Sequence, residues 1–299
     1  MASENTYWRA PELGEPHTLE LRGGRLRAFD AGSGAPIVFV HGALVNANLW
    51  RKVIARLTAE FRCVALDMPL GSHELALPDA DLSPPALADL IAEAVGTLGL
   101  DDVVLVGNDT GGGLCQLVVD RHPDRVGRLL LTSCDAYEQF PPRFFEVLLA
   151  PAAVPVLVPI LFGPLRLRAL RGLPIAYGWL MHSKLDPKVS DSWVLPGLTN
   201  AAVREDTRRL LKGIEPSYLL DAAARFSRFR KPVTIAWSRD DKFFWHRNAE
   251  RLAAAFPNSR LEWIDRARTF SPEDRPDRVA ELVAELARRP ATKPGAQAA

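Results

Sequence analysis

Short apolar runs recur along the chain with helical patterns between them. Ile37-Val38-Phe39-Val40, Cys63-Val64-Ala65-Leu66, Val103-Val104-Leu105-Val106, Leu129-Leu130-Leu131-Thr132 and Val233-Thr234-Ile235-Ala236-Trp237 are continuous rather than alternating, and Leu261-Glu262-Trp263-Ile264 follows them. Continuous runs of this length suit strands covered on both faces. Helical spacing follows from about Asn48 to Leu57, from Pro84-Pro85 behind Ser83 to about Leu98, and from about Gly111. Ahead of them, Thr18–Leu21 and Arg25–Phe29 flank Gly23-Gly24, a hairpin signal. Strands alternating with helices predict an α/β fold with a mostly parallel sheet and helices on both faces.

The rhythm breaks between residues 136 and 228, where the pieces are helical and rich in Pro, Phe and Arg. This stretch is expected to form an inserted helical lid, or cap, on a core domain made of residues 1–135 and 229–288. Val147 to Leu165 carries no charge, but Pro151, Pro155, Pro159 and Pro164 interrupt it too often for a membrane-spanning helix. It reads instead as a roof over an apolar pocket. Residues 1–16, with Pro11, Gly14 and Pro16, read as a loose lead-in, and residues 289–299 as a disordered tail.

Chemistry concentrates where the run Val103–Val106 meets Gly107-Asn108-Asp109-Thr110-Gly111. Gly107-x-Asp109-x-Gly111 has the form of a nucleophile elbow, a tight strand-to-helix turn that pushes its central side chain above the sheet, with Asp in place of Ser. A carboxylate there faces the positive end of the following helix, which favours its ionised form.

Composition narrows the partners. Lys and Arg number 37 against 36 Asp and Glu, without long single-sign blocks, so neither nucleic acid nor an anionic membrane is indicated and a small molecule is the expected partner. Cys63, Cys115 and Cys134 are odd in number, fall in expected core elements and have no metal-ligand spacing. Met1–Thr6 has neither the charged nor the apolar stretch of a secretion signal, so a cytoplasmic location is expected. No cofactor or metal is expected: the glycines at 107 and 111–113 do not spell a dinucleotide fingerprint, and no Cys or His cluster suits a metal. The oligomeric state is not legible.

The ordered set His41-Gly42, Asp67-x-Pro69, the elbow at Asp109, Asp241, and Phe270-x-Pro272-Glu273 resembles the α/β-hydrolase superfamily over nearly the whole chain outside the cap. An Asp at the elbow resembles the branch of haloalkane dehalogenases and epoxide hydrolases, in which that carboxylate attacks carbon and water then cleaves the resulting ester. The resemblance implies Asp109 as nucleophile, the backbone N–H groups of Ala43 and Thr110 as oxyanion donors, and Asp241 or its neighbour Asp240 as the acid that orients a histidine. At the histidine position the chain has Thr269, which cannot act as a base near neutral pH. His246, at the start of a helix after Asp241, is the one stand-in worth testing; His182 and His73 read as surface or capping residues, His41 as loop geometry and His122 as a helix end. Dehalogenases of this branch usually place Trp after the nucleophile, where this chain has Thr110; epoxide hydrolases use cap tyrosines, for which Tyr177 and Tyr218, with Tyr137 at the start of the cap, are candidates.

Three uses of such a site remain open on the sequence. One is an epoxide hydrolase-like opening at carbon by Asp109 of a small, largely apolar substrate. The second is a cyclase, isomerase or lyase in which Asp109 moves a proton, which needs burial to raise its pKa. The third is a silent ligand-binding protein.

Overall fold

In the computed structural model, which describes residues 7–149 and 163–290, the apolar runs form the middle of an eight-stranded sheet of order β1-β2-β4-β3-β5-β6-β7-β8. The strands are β1 Glu15–Leu21, β2 Gly24–Ala31, β3 Ala35–Val40, β4 Phe61–Asp67, β5 Val103–Asp109, β6 Val126–Cys134, β7 Val233–Ser238 and β8 Ser259–Ile264. β2 is antiparallel to β1 and β4, and the pairs from β4 through β8 are parallel. Every residue of β5, β6 and β7 is buried, as their continuous apolar runs require, whereas the outer strand β1 is mostly exposed. The hairpin strands run further than their apolar residues, because the ladder from Glu15↔Asp30 to Leu21↔Gly24 continues through exposed polar positions.

The longer helices are α1 Pro84–Thr97, α2 Thr110–Arg121, α3 Pro187–Thr199, α4 Ala201–Gly213, α5 Pro216–Ala223, α6 His246–Ala255 and α7 Pro276–Ala287. Between β6 and β7 the described residues form only helices and connections, among them α3, α4 and α5. The cap's expected limits, 136 and 228, stand as a proposal. The uncharged stretch Val147 to Leu165 falls largely, and the tail beyond Pro290 wholly, outside the described residues. Among those described, no helix is long and apolar enough to cross a membrane, and no group of three or more His, Cys, Asp or Glu is placed to hold a metal ion.

The lead-in is not loose from residue 7 onward. Leu13 and Ala10 are buried in the core, Arg9 forms an ion pair with buried Asp67 at 2.9 Å, and Ala10 N–H donates to Asn48 Oδ1 at 2.8 Å. Two apolar side chains among prolines and charges leave no periodicity to read, yet they and one buried ion pair suffice to fix the segment.

Chain direction across the sheet reverses at β3, whose neighbours are β4 and β5. The loops leaving the carboxyl ends of β3 and β5 therefore diverge there and open a crevice, the usual ligand position in such sheets. The first of them carries Ala43, and Asp109 ends β5 where the second begins.

Candidate active site

The elbow is built by what the chain omits. Val40 pairs with Gly107, so the turn after β5 passes against the end of β3. A Cβ at Gly111 would collide with the carbonyl oxygens of Val40 and His41, and one at Gly107 would lie 2.6 Å from Gly112 Cα. With both positions reduced to backbone, Asp109 takes φ 55°, a left-handed conformation uncommon for residues other than glycine, and caps α2.

One carboxylate oxygen of Asp109 is fully engaged. Oδ1 accepts from Thr110 N–H at 2.5 Å, the Thr110 hydroxyl at 3.1 Å and Ala43 N–H at 3.4 Å. The residue is 8% exposed, and burial outweighs these donors, so its pKa is pushed up from 3.8 to about 6, with a contribution from the charge of Asp241. The helix end therefore does not hold Asp109 at an ordinary carboxylate value, contrary to the expectation from the sequence; the desolvation of the site is the larger effect.

Asp241 is half-buried and is oriented by Phe243 N–H at 2.8 Å, Phe244 N–H at 2.9 Å and the Thr269 hydroxyl, which lies 3.2 and 3.1 Å from its two oxygens. Burial still raises its pKa. Thr269 is 0% exposed. Its loop is pinned from behind by Glu273, which pairs with Arg51 and, at 2.8 Å, with Lys52 Nζ.

Asp240 belongs elsewhere: its side chain points outward to His182, 2.9 Å away, on an exposed surface. The turn after β7 separates the two neighbouring aspartates, sending one in and one out. His246 and Asp241 line one cleft of about 390 Å³, but the imidazole is exposed and turned onto the Ser238 carbonyl at 3.3 Å and the edge of Trp263. His41 is a neutral strut: Nδ1–H donates to the Gly42 carbonyl at 2.8 Å, Nε2 accepts from Met68 N–H at 2.9 Å, and burial lowers its pKa to about 4. His73 is no surface residue, being buried against Asp206 of α4 at 3.1 Å. His122 ends α2 and meets Asp89 at 2.6 Å.

Of the candidate tyrosines, Tyr177 is buried and donates its hydroxyl to the Leu44 carbonyl at 2.8 Å, tying its segment to the loop that carries Ala43. Tyr218 is partly buried and packs on the core. Tyr137 lies under the Arg251 guanidinium, 3.6 Å from the ring centre. All three cysteines are free and buried.

Two residues without a motif also converge here. Asn108, fully buried, donates from Nδ2 to Thr132 Oγ1 at 2.8 Å and to the Thr269 carbonyl at 2.7 Å, so the residue before Asp109 holds the loop that carries Thr269. Asn108→Ala is expected to cost about 1–3 kcal/mol by stranding these groups. A chemical denaturation midpoint unchanged from wild type would refute that role. The second is Asp135, just beyond β6, whose side chain is 1% exposed beside the elbow. A carboxyl-edge position on the strand adjacent to the elbow was the available signal for it.

Comparison with known proteins agrees with this architecture. The family described as alpha/beta hydrolase fold matches residues 35–276. Haloalkane dehalogenase 2 of Mycobacterium tuberculosis is 30% identical over 270 residues, covering 88% of this chain and 91% of that protein. Among solved structures, the haloalkane dehalogenase DatA from Agrobacterium tumefaciens C58 superposes with a TM-score of 0.76 at 22% identity, covering 94% of this chain and 99% of that one. The epoxide hydrolase CorEH gives 0.76 at 19% identity, covering 91% and 98%. At such identities the two structures speak for the fold alone.

Proposed function

Because this chain belongs to the α/β-hydrolase family, we propose that it is an enzyme in which Asp109 attacks an electrophilic carbon of a small, largely apolar molecule, in the manner of an epoxide opening. The observation that carries this reading is the division of labour between the two oxygens of Asp109: three donors hold Oδ1, leaving Oδ2 as the attacking atom. A carboxylate needs to lose no proton before it attacks, as a serine would. As Oδ2 bonds to carbon, a carbon–oxygen bond of the epoxide breaks and its electron pair stays on the departing oxygen, which then takes up a proton. Oδ1 becomes the ester carbonyl oxygen, still facing the N–H groups of Ala43 and Thr110. Attack of water on the ester would place negative charge on Oδ1, where those N–H groups stabilise it.

That second step lacks its base. By the resemblance, Thr269 stands for the histidine with which the family activates water, and its hydroxyl is donated to Asp241. The ester on Asp109 should consequently form readily and hydrolyse slowly.

Intact mass after incubation with a panel of epoxides and haloalkanes tests the reading. A persistent single adduct is expected, and no adduct with any reagent would sink it. The rate of adduct formation should rise with pH through about 6, where Asp109 ionises, and level off above it. A rate independent of pH from 4.5 to 8, roughly one to two units on either side of that pKa, would argue against attack by this carboxylate.

The raised pKa also favours a second reading, in which Asp109 exchanges a proton with substrate in an isomerisation, cyclisation or elimination. Conversion of a substrate without any adduct would select it.

A further inference from the structure

Besides Asp109 and Asp241 the site holds a third carboxyl, which neither the hydrolytic nor the proton-transfer reading uses. Asp135 follows β6, the strand paired with the elbow strand at Asp109↔Cys134, and its N–H reaches the Asp109 carbonyl at 3.4 Å. Gln116 of α2 fixes the backbone from the other side, donating to the Asp135 carbonyl at 2.7 Å. The side chain is 1% exposed, and its Oδ1 has no hydrogen-bond partner. The Thr110 hydroxyl donates to Asp109 Oδ1 at 3.1 Å and adjoins Asp135, whose charged form it favours against the larger effect of burial.

An ionised carboxylate with an oxygen that has no donor, buried this deeply, is among the costliest groups a protein can hold, whereas a neutral carboxyl there costs far less. The titratable groups surrounding the pair do not relieve it. Asp109 and Asp241 are acidic, Cys134 and Cys115 are buried thiols with pKa values pushed up, and none supplies positive charge.

We infer that Asp135 is the proton-holding partner of Asp109, joined to it through the Thr110 hydroxyl, and acts as a positioning residue for the nucleophile. In this arrangement the neutral Asp135 O–H donates to Thr110 Oγ1. The Thr110 proton is then directed at Asp109 Oδ1, and Oδ2 is left free. One carboxyl stays neutral so that the other can be charged, since in one buried site each negative charge disfavours ionisation of the other. Burial and the charge of Asp109 both push the pKa of Asp135 upward, which agrees with this order of titration. The pairing deepens the reading of Asp109 as attacking group, but its test requires no substrate.

Infrared difference spectra of the full-length protein, titrated from acid to alkaline pH, report a neutral buried carboxyl through its carbonyl stretch. At pH 7, roughly one unit above the pKa of Asp109 and so with that group largely ionised, wild type should show the band and Asp135→Asn should lack it. In Asp109→Asn the band should persist but titrate about one pH unit lower or more, because the neighbouring charge is gone. A band absent from wild type at pH 7, retained in Asp135→Asn, or titrating identically with and without Asp109 would overturn the inference. Should Asp135→Asn not fold, Thr110→Val and Thr110→Ser provide a second measurement. Valine removes the linking hydroxyl and should shift the band, serine should restore it, and one frequency in all three proteins also overturns the inference. Because adduct formation is scored separately by mass, failure of the nucleophile reading and failure of this one are distinguishable.

Discussion

Thr269→His is expected to shorten the lifetime of the Asp109 ester by about 10²- to 10⁴-fold, the usual worth of a positioned general base. The place is prepared for it. The Thr269 hydroxyl already addresses both oxygens of Asp241, so an imidazole there would have an acid to orient it. The loop is fixed by Asn108 on one side and by Glu273 with Arg51 and Lys52 on the other. The larger ring enters a fully buried position, and overpacking costs typically ~1–3 kcal/mol, so a folded variant has to be verified first. The measurement is decay of the preformed adduct by intact mass after excess reagent is removed. An unchanged lifetime in the folded variant would mean that something other than the absent histidine limits turnover.

Asp109→Asn should abolish adduct formation outright while stabilising the fold at neutral pH. The sign follows from the direction of the pKa shift. In the folded protein Asp109 binds its proton more tightly than in the unfolded chain, where the ordinary value is 3.8. Its contribution is therefore fully present below the unfolded pKa and is lost as pH rises through about 6. At neutral pH the charged, buried carboxylate costs on the order of 3 kcal/mol, which asparagine does not incur. Melting temperatures of the two proteins should accordingly lie closest near pH 4, below which both carboxyl forms are neutral, and diverge between about pH 4 and pH 6 with the variant higher. Parallel melting profiles across that range would show that Asp109 is not desolvated in the native state. An adduct on the variant would place the nucleophile elsewhere.

Much of the scaffold was readable because physical constraint wrote it locally. β5, β6 and β7 are buried along their whole length, so their residues are uniformly apolar. The elbow was readable because steric crowding at Gly107 and Gly111 permits no side chain. Other parts depend on tertiary neighbours that leave no mark in the local sequence. Whether Asp240 or Asp241 faced inward was decided by one turn and by Thr269, a contact spanning 28 residues. Asn108 bonds to a carbonyl 161 residues away, so nothing around it in sequence distinguishes it from a turn asparagine. Asp135 matters only because β6 lies beside β5. The lead-in was misread for a similar reason, since its anchors are Asp67 and Asn48.

The bonds between the helical region that follows β6 and the loops of the sheet are unevenly distributed. Along one flank, buried polar groups sew this region to the loops after β3 and β4: Tyr177 to the Leu44 carbonyl, Asn46 to the Ser192 carbonyl, Ser72 to the Trp193 carbonyl, and Asp206 to His73 and Leu77 N–H. A second flank is tied by Phe270 N–H to the Leu180 carbonyl and by Arg268 to the Gly178 carbonyl. Parting either seam would strand donors and acceptors at ~1–3 kcal/mol each. Where Phe144, Phe145 and Trp179 rest on Phe243, the contacts are ring on ring, and those rings can slide without breaking a hydrogen bond. The two hydrogen-bonded flanks are thus the costly places to part this helical region from the sheet, and the aromatic corner is the cheap one.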